Sequence, residues 1–189
     1  MQMDKLIELI TEKEIEYRLA KKKTLQSKLK LKQIEKRLTD FEKLKSLILI
    51  IAKQAKKEIK EYLENIVTNA LQIVYGEEYS FEIHIEKKKD QEEIYFYLKV
   101  ENGPLLELRR DLTSGGSLDM ISLGLRIGIL SLLNAEPILF LDEPLKNLGK
   151  FSYIGAEFIK ELSHSMGIQI FLITHDDELI EIADKVYKI

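Results

Sequence analysis

Two adjacent carboxylates, Asp142 and Glu143, follow four apolar residues, Ile138-Leu139-Phe140-Leu141. The apolar run reads as a buried strand, and in an α/β sheet ligands bind outside the carboxyl ends of the strands. One carboxylate at such an edge can hold a Mg²⁺ while its neighbour orients an attacking water, which is the layout nucleotide hydrolysis needs. A second apolar run, Ile170-Phe171-Leu172-Ile173, ends in Thr174-His175-Asp176 and places an imidazole at an equivalent edge. Upstream, Thr113-Ser114-Gly115-Gly116-Ser117 directly precedes a predicted helix. Two glycines let the backbone approach a ligand closely, and a helix N-terminus offers free N–H groups and the positive end of a dipole. The plainer reading of that loop is a turn with an N-cap. The plainer reading of Asp142-Glu143 is likewise a cap followed by first-turn charge. Order separates the readings: Leu141 comes 25 residues after Gly116, and His175 comes 32 after Glu143.

These residues need a sheet to position them, and the chain from Gly76 onward supplies one. Tyr79 to Ile85 alternates apolar and polar residues, as a strand with one wet face does. Lys87 to Glu93 is a charged turn, Ile94 to Val100 a second strand, and Asn102-Gly103-Pro104 a turn signal before a short third strand, Leu105 to Leu108. This is an antiparallel meander. From Ser117 the rhythm becomes helix (118–133), strand (138–141), helix (153–166), strand (168–173) and helix (177–184). That alternation predicts a parallel α/β sheet. Asp176 and Asp177 read as helix-start residues. His84 and His164 have no partners at metal-ligand spacing, and a strand or surface role is expected of both.

From Asp4 to Tyr75 there is neither Pro nor Gly, and apolar residues fall on a heptad grid. One series runs Met3, Ile10, Tyr17, Thr24, Leu31, Leu38, Lys45, Ala52, Ile59, Ile66, Ile73, and a second runs from Leu6 to Tyr62. The pattern predicts a helix that packs along one seam against another helix. If continuous it would reach ~100 Å, and a helix of that length needs a partner to be stable in water. The weak grid around Lys21-Lys22-Lys23-Thr24 is a candidate break or reversal. Leu47 to Ile51 is apolar on several sides, which asks for more than one neighbour. Gly76 is positioned to cap the helix C-terminus.

The formal net charge of −3 hides an asymmetry: residues 1–75 carry 17 Lys/Arg against 11 Asp/Glu, and residues 76–189 carry 12 against 21. Arg18 to Arg37 holds nine basic residues and one acid, Glu35. A basic arm invites a polyanion such as DNA, although lysines covering the solvated faces of a long helix are the plainer account. With no cysteine, disulfides and thiolate zinc sites are excluded, and a reducing cytoplasm fits. The longest apolar run, Leu47 to Ala52, is far short of the ~20 residues that span a bilayer, and Met1-Gln2-Met3-Asp4 lacks the layout of a secretory signal. The expectation is therefore a non-membrane protein of the cytoplasm.

With the loop, the two strand ends and the preceding coil in view, the sequence resembles the ABC-type ATPases of the Rad50/SMC/SbcC branch, over residues 75–189. Ser114-Gly115-Gly116, followed by the helix with Leu123-Gly124-Leu125-Arg126, is similar to that family's signature motif. Ile138 to Glu143 resembles its Walker B strand, Pro144 to Gly149 its D-loop, and Thr174-His175-Asp176 its switch-histidine segment. The resemblance implies a helical coiled-coil arm (1–75) and an ABC-ATPase C-terminal lobe (76–189), with ATP and Mg²⁺ as cofactors. It implies that Asp142 holds the metal, Glu143 polarises the attacking water and His175 contacts the γ-phosphate. It also implies that Thr113, Ser114, Gly115, Gly116 and Asn147 meet a nucleotide held by another head across a dimer interface. The implied partners are a polypeptide or segment carrying Walker A, a second copy or coil partner, DNA, and a nuclease subunit.

The departures matter. Thr113 stands where Leu is usual, and Gly149 stands where the D-loop has an Asp that helps couple the two sites. No phosphate-binding P-loop is present: Gly149-Lys150 would need a Gly at position 144, which is Pro144. Two functions from different classes follow. One is the signature-and-Walker-B half of a DNA-processing ATPase, inactive until a P-loop arrives. The other is a non-catalytic, ATPase-derived module for DNA binding or oligomerisation. A transporter-type ATP-binding subunit is disfavoured, because such subunits lack a long coil before the signature loop.

Overall fold

The computed structural model describes residues 2–89, 91–108, 114–133 and 136–188. Helix α1 runs from Gln2 to Tyr75 without interruption. The break expected near Lys21–Thr24 does not occur, since nothing there removes a backbone donor, and Thr24 returns its hydroxyl to the Ala20 carbonyl (2.9 Å). Gly76 ends the helix as the sequence predicts, with φ +109° and its N–H on the Gln72 carbonyl (3.0 Å).

Packing divides the chain into two compact units, Met1–Ala55 and Lys56–Ile189. In the first, every described side chain from Leu6 to Ala55 is exposed, the apolar seam included. In the second, α1 changes character. Val67, Ala70, Leu71 and Val74 recur at helical spacing and are at most 4% exposed.

That buried stripe lies against α2 (Gly115–Leu132). The two helices run antiparallel, because contacts pair Tyr75 with Gly116, Val67 with Gly124 and Leu63 with Gly128. A Cβ on Gly124 would lie 3.1 Å from the Val67 Cα, and one on Gly128 only 2.6 Å from the Leu63 Cδ2. Glycine at both positions lets the helix axes approach. The contact closes with the Tyr62 hydroxyl on the Ser131 hydroxyl (2.8 Å). By length and composition α2, with 18 residues, is apolar enough to cross a membrane. Its Met120, Ile121, Leu123 and Ile127 are buried in the protein core, which accounts for its hydropathy.

Strands β1 (Tyr79–Lys88), β2 (Gln91–Val100) and β3 (Leu105–Glu107) form the expected meander in the order β1-β2-β3, with Tyr79 opposite Val100 and Leu98 opposite Leu106. The outer edge of β1 is covered by α1. The Glu64 carboxylate accepts from the Ile83 N–H (2.6 Å), the Thr68 hydroxyl oxygen accepts from the Phe81 N–H (3.0 Å), and the Gln72 amide donates to the Tyr79 carbonyl (3.1 Å). Four residues of helix rise ~6.0 Å and two residues of strand ~6.6 Å, so the two repeats stay nearly in step. Edge groups that would otherwise invite another strand are satisfied here.

A second sheet pairs β4 (Ile138–Asp142) with β5 (Gln169–Ile173) in parallel, Asp142 opposite Ile173. Helix α3 (Ser152–Met166) connects them after a short 3₁₀ turn at Gly149–Phe151 and closes on Gly167 at φ +63°. Helix α4 (Asp177–Ile182) follows β5. One face of the pair enters the core through Leu141 (3% exposed), beside Ala156, Ile159 and Leu179. The other face carries Ile138, Phe140, Phe171 and Ile173 in the open. The mixed α/β architecture is the one the sequence predicts.

Candidate functional site

Strand pairing puts Asp142-Glu143 and Thr174-His175 at the same carboxyl edge of the parallel pair. The Glu143 N–H donates to the Ile173 carbonyl (2.8 Å) and extends the ladder by one step. Glu143 then adopts φ +43° and Leu145 φ +64°, conformations that cost a non-glycine residue free energy. Burial holds the turn in that shape. Leu145 (2% exposed) and Leu148 (4%) plug into the core against Gly155, where a Cβ would meet each of them at 2.8 Å. The strained turn brings the Glu143 carboxylate, 29% exposed, to 3.7 Å from the His175 Nε2, whose side chain is 96% exposed. That distance is an ion-pair contact when the imidazole is protonated and leaves the ring free to turn toward a ligand when it is not. His175 sits on a fixed base: the Thr174 hydroxyl oxygen accepts the Asp176 N–H (3.0 Å), and Asp176 caps α4 at Glu178 (2.9 Å) and receives the Ser152 hydroxyl. Asp176 is thus a helix-start residue, as predicted.

The loop between Leu145 and Leu148 meets the N-terminus of α2. Asn147 donates its N–H to Asp119 (2.9 Å), and its side-chain amide donates to the same carboxylate (3.2 and 3.4 Å). Gly115 lies on the Asn147 side chain, with room for no Cβ (2.7 Å), and Gly116 lies under the Tyr75 hydroxyl and the Asn147 carbonyl. Both glycines therefore have a packing reason for being glycine. Ser114 is the N-cap of α2, its hydroxyl oxygen accepting the Ser117 N–H (3.4 Å). The N-cap reading and the anion-loop reading describe the same exposed residue. Thr113 lies outside the described residues.

The candidates thus gather in two groups joined by residues 144–148: Asp142, Glu143 and His175 in one, and Ser114, Gly115, Gly116 and Asn147 in the other. Sequence reasoning missed Asp119, Ser117 and Tyr75. Only the crossing of α1, α2 and the 147 loop unites them, and nothing in their spacing announces it. Burial pushes the Tyr75 phenol above its ordinary value, the neighbouring Ser117 hydroxyl opposes that shift, and the Asp119 charge adds to it. His84 bonds Glu82 (2.9 Å) on the meander, and His164 sits on the outer surface of α3, both apart from the two groups. The surface depression lined by Glu157, Lys160, Glu161, His164 and Ser165 is also elsewhere. The catalytic candidates lie on an open edge, not in a cavity.

Among the described residues no cluster of three or more His, Cys, Asp and Glu could hold a metal. Asp142 is a single exposed carboxylate, and Mg²⁺ takes one or two carboxylates and completes its shell with water and phosphate oxygens. Metal and nucleotide would have to arrive together.

No family model matches the chain. It is 31% identical over 163 residues to the DNA double-strand break repair Rad50 ATPase of Sulfurisphaera tokodaii, covering 82% of this chain and 18% of that protein. It is 30% identical over 141 residues to the protein of the same name from Sulfolobus acidocaldarius, covering 70% and 15%. The chain therefore spans less than a fifth of the relatives it matches. Among solved structures, a chain from work on ATP-driven dimerization and DNA-stimulated activation of SMC ATPases superposes with a TM-score of 0.56 at 19% identity, covering 72% of this chain and 78% of that one. The Smc head of Pyrococcus furiosus with an extended coiled coil, bound to the C-terminal domain of ScpA, gives 0.53 at 20% identity, over 70% and 31%. These likenesses establish the fold.

Proposed function

Because the chain belongs to the Rad50/SMC-like ATPases, we propose that it is the signature-and-Walker-B half of such an ATPase, acting in DNA repair, recombination or replication, and that it hydrolyses ATP only when a polypeptide or segment carrying a Walker A loop joins it. The observation that carries this reading is the bare face of the parallel pair. Parallel strands are ordinarily covered on both faces. Here Phe140 and Phe171 stack at 5.1 Å with 74% and 47% of their surface exposed, flanked by Ile138 and Ile173, directly behind the Asp142–Glu143 edge. A lobe laid on that face would bring a phosphate loop alongside the two carboxylates.

In the assembled site, ATP and Mg²⁺ would supply the reactive phosphoryl group and its charge neutralisation. The chain's own residues do the rest. Asp142 offers an oxygen ligand at the exposed strand end. Glu143, fixed by its turn and its bond to Ile173, accepts a hydrogen bond from the attacking water. His175 reaches the same space from β5. Ser114 and the free N–H groups of α2 present donors to phosphate oxygens of a nucleotide held by a second head. The exposed apolar seam of residues 3–55 calls for a partner helix, from the Walker A polypeptide or from a second copy, and the Arg18–Arg37 stretch offers DNA a run of cations. A nuclease subunit as a further partner is part of the same reading.

The test is reconstitution. The chain alone should show negligible nucleotide binding, and ATP turnover should appear on adding the Walker A polypeptide, sought first among the products encoded beside it. Glu143→Gln should abolish that turnover while nucleotide stays bound, and Phe140→Asp should prevent the two polypeptides from associating. Association without turnover, unchanged by Glu143→Gln, would favour the non-catalytic module. DNA binding through the arm should weaken steeply between 50 and 200 mM salt, by a factor on the order of 10³ for six phosphate contacts. A flat salt response excludes that use of the arm.

A further inference from the structure

The imidazole of His175 is aimed almost wholly by its backbone. Its side chain is 96% exposed, and the Glu143 carboxylate stands 3.7 Å from its Nε2. So bare a side chain has little packing to choose its direction, and the peptide units on either side must do so.

Those units are held from both flanks. On one side the Glu143 N–H meets the Ile173 carbonyl (2.8 Å). On the other, Asp176 has both carboxylate oxygens engaged: Oδ1 accepts the Glu178 N–H (2.9 Å) at the start of α4, and Oδ2 accepts the Ser152 hydroxyl. The first of these bonds is an ordinary N-cap and would stand without the second. The Ser152 bond is extra to capping, and it joins two loops 24 residues apart in the chain. Ser152 opens α3 but is not its N-cap, which is Phe151 and makes no side-chain bond. The Ser152 hydroxyl therefore serves the β5 loop and not its own helix.

Ser152 is itself fixed relative to Glu143. Its N–H closes the 3₁₀ turn on the Gly149 carbonyl, Phe151 bonds back to Leu148 (3.1 Å), and Leu148 bonds back to Leu145 (3.0 Å). Leu145 and Leu148 are buried, so these turns cannot swing freely. A closed circuit results. It runs from Glu143 along residues 144–152, across to Asp176, back through His175 and Thr174 to Ile173, and across to Glu143 again. The Thr174 hydroxyl oxygen braces the short side by accepting the Asp176 N–H (3.0 Å). Without the Ser152 hydroxyl the circuit opens one residue from His175.

We propose that Ser152 is a positioning residue: by binding Asp176 it closes this circuit and keeps His175 beside Glu143, at the edge where a phosphate and its attacking water would lie. The proposal rests on the half-site reading above and names what ties the histidine of that site to the loop following its two carboxylates. The acceptor is charged, and such hydrogen bonds are about twice as strong as those between neutral groups.

Ser152→Ala removes the hydroxyl at a position where alanine suits the helix, so the fold should survive. The first readout is amide hydrogen exchange of the isolated full chain. Exchange at residues 174–178 should quicken about tenfold, the loss expected of a bond to a charged acceptor, while α2 and the β1–β2 pair keep the parent's rates. Ser152→Thr, which retains the hydroxyl, should exchange as the parent does. The second readout uses the chain joined to its Walker A polypeptide. There Ser152→Ala should lower kcat for ATP about tenfold, as expected of a reacting group held slightly out of place. KM should be unchanged, a His175→Ala background should lose nothing further, and Ser152→Thr should restore kcat. Unchanged exchange at 174–178, quickening spread evenly over the whole unit, or an equal kcat loss with and without His175 would overturn the clamp. Failure of the half-site reading looks different: His175→Ala and Glu143→Gln would leave turnover intact, or none would appear, while exchange at 174–178 still responds to Ser152→Ala.

Discussion

Gly116→Ala puts the packing around the candidate site to a quantitative test. A Cβ at this position would lie 2.5 Å from the Tyr75 hydroxyl oxygen, 2.9 Å from the Asn147 carbonyl oxygen and 3.3 Å from the Leu148 Cα. The first neighbour ends a side chain, but its ring is wedged between Tyr79 and Phe151. The other two are backbone atoms of a loop nailed down by Leu145, Leu148 and the Asn147–Asp119 bonds. A few tenths of an ångström of forced displacement in such packing costs about 1–3 kcal/mol. Against that stands the helix preference for Ala over Gly, at most about 1 kcal/mol and smaller in a first turn. The net expectation is a loss of about 1–2 kcal/mol, or about 3–6 °C in Tm for a chain of this size. Seven of the eight tyrosines lie in residues 56–189 and there is no tryptophan, so tyrosine fluorescence follows this unit and not the arm. Adding Tyr75→Phe should return less than half of the loss, because the backbone contacts remain. A Tm equal to or above that of the parent chain would refute the packing account and leave ligand approach as the only reason for the glycine.

Two more predictions concern the same unit. The Tyr75 phenol titrates higher folded than unfolded, so its contribution to stability is complete below about pH 10, the unfolded value, and is lost as pH rises through the folded one. The Tm should fall across that alkaline window, and Tyr75→Phe should flatten the fall. At the edge of β1, Thr68→Val keeps the shape of the side chain but leaves the Phe81 N–H without its acceptor, which should cost about 1–2 kcal/mol in a denaturant titration. Val equal to Thr would mean that solvent satisfies that donor as well as the helix does.

Local pattern carried most of what could be read without coordinates. Alternation in Tyr79–Ile85, the apolar runs before Asp142 and Thr174, and the unbroken helix before Gly76 each express a backbone period or a cap, and the elements appear where those signals fall. Asp142, Glu143 and His175 were legible as a group because parallel strands place their carboxyl ends side by side whatever else the fold does. The Thr24 region misled because a gap in a heptad grid removes a seam contact, not a helical hydrogen bond.

Tertiary structure decided the rest. Whether Gly124 and Gly128 are loop-like weaknesses or helix-crossing points depends on what faces them, and only the antiparallel approach of α1 answers that. The pairing of Asp119 with Asn147, 28 residues apart, and the packing of Tyr75 over Gly116 arise where three elements cross, and residue type alone marks neither. The sequence by itself determined which groups could do chemistry and in what order they come, because strand ends and helix caps are local. What holds those groups, and which apolar faces remain bare behind them, belongs to long-range packing, which no local period encodes.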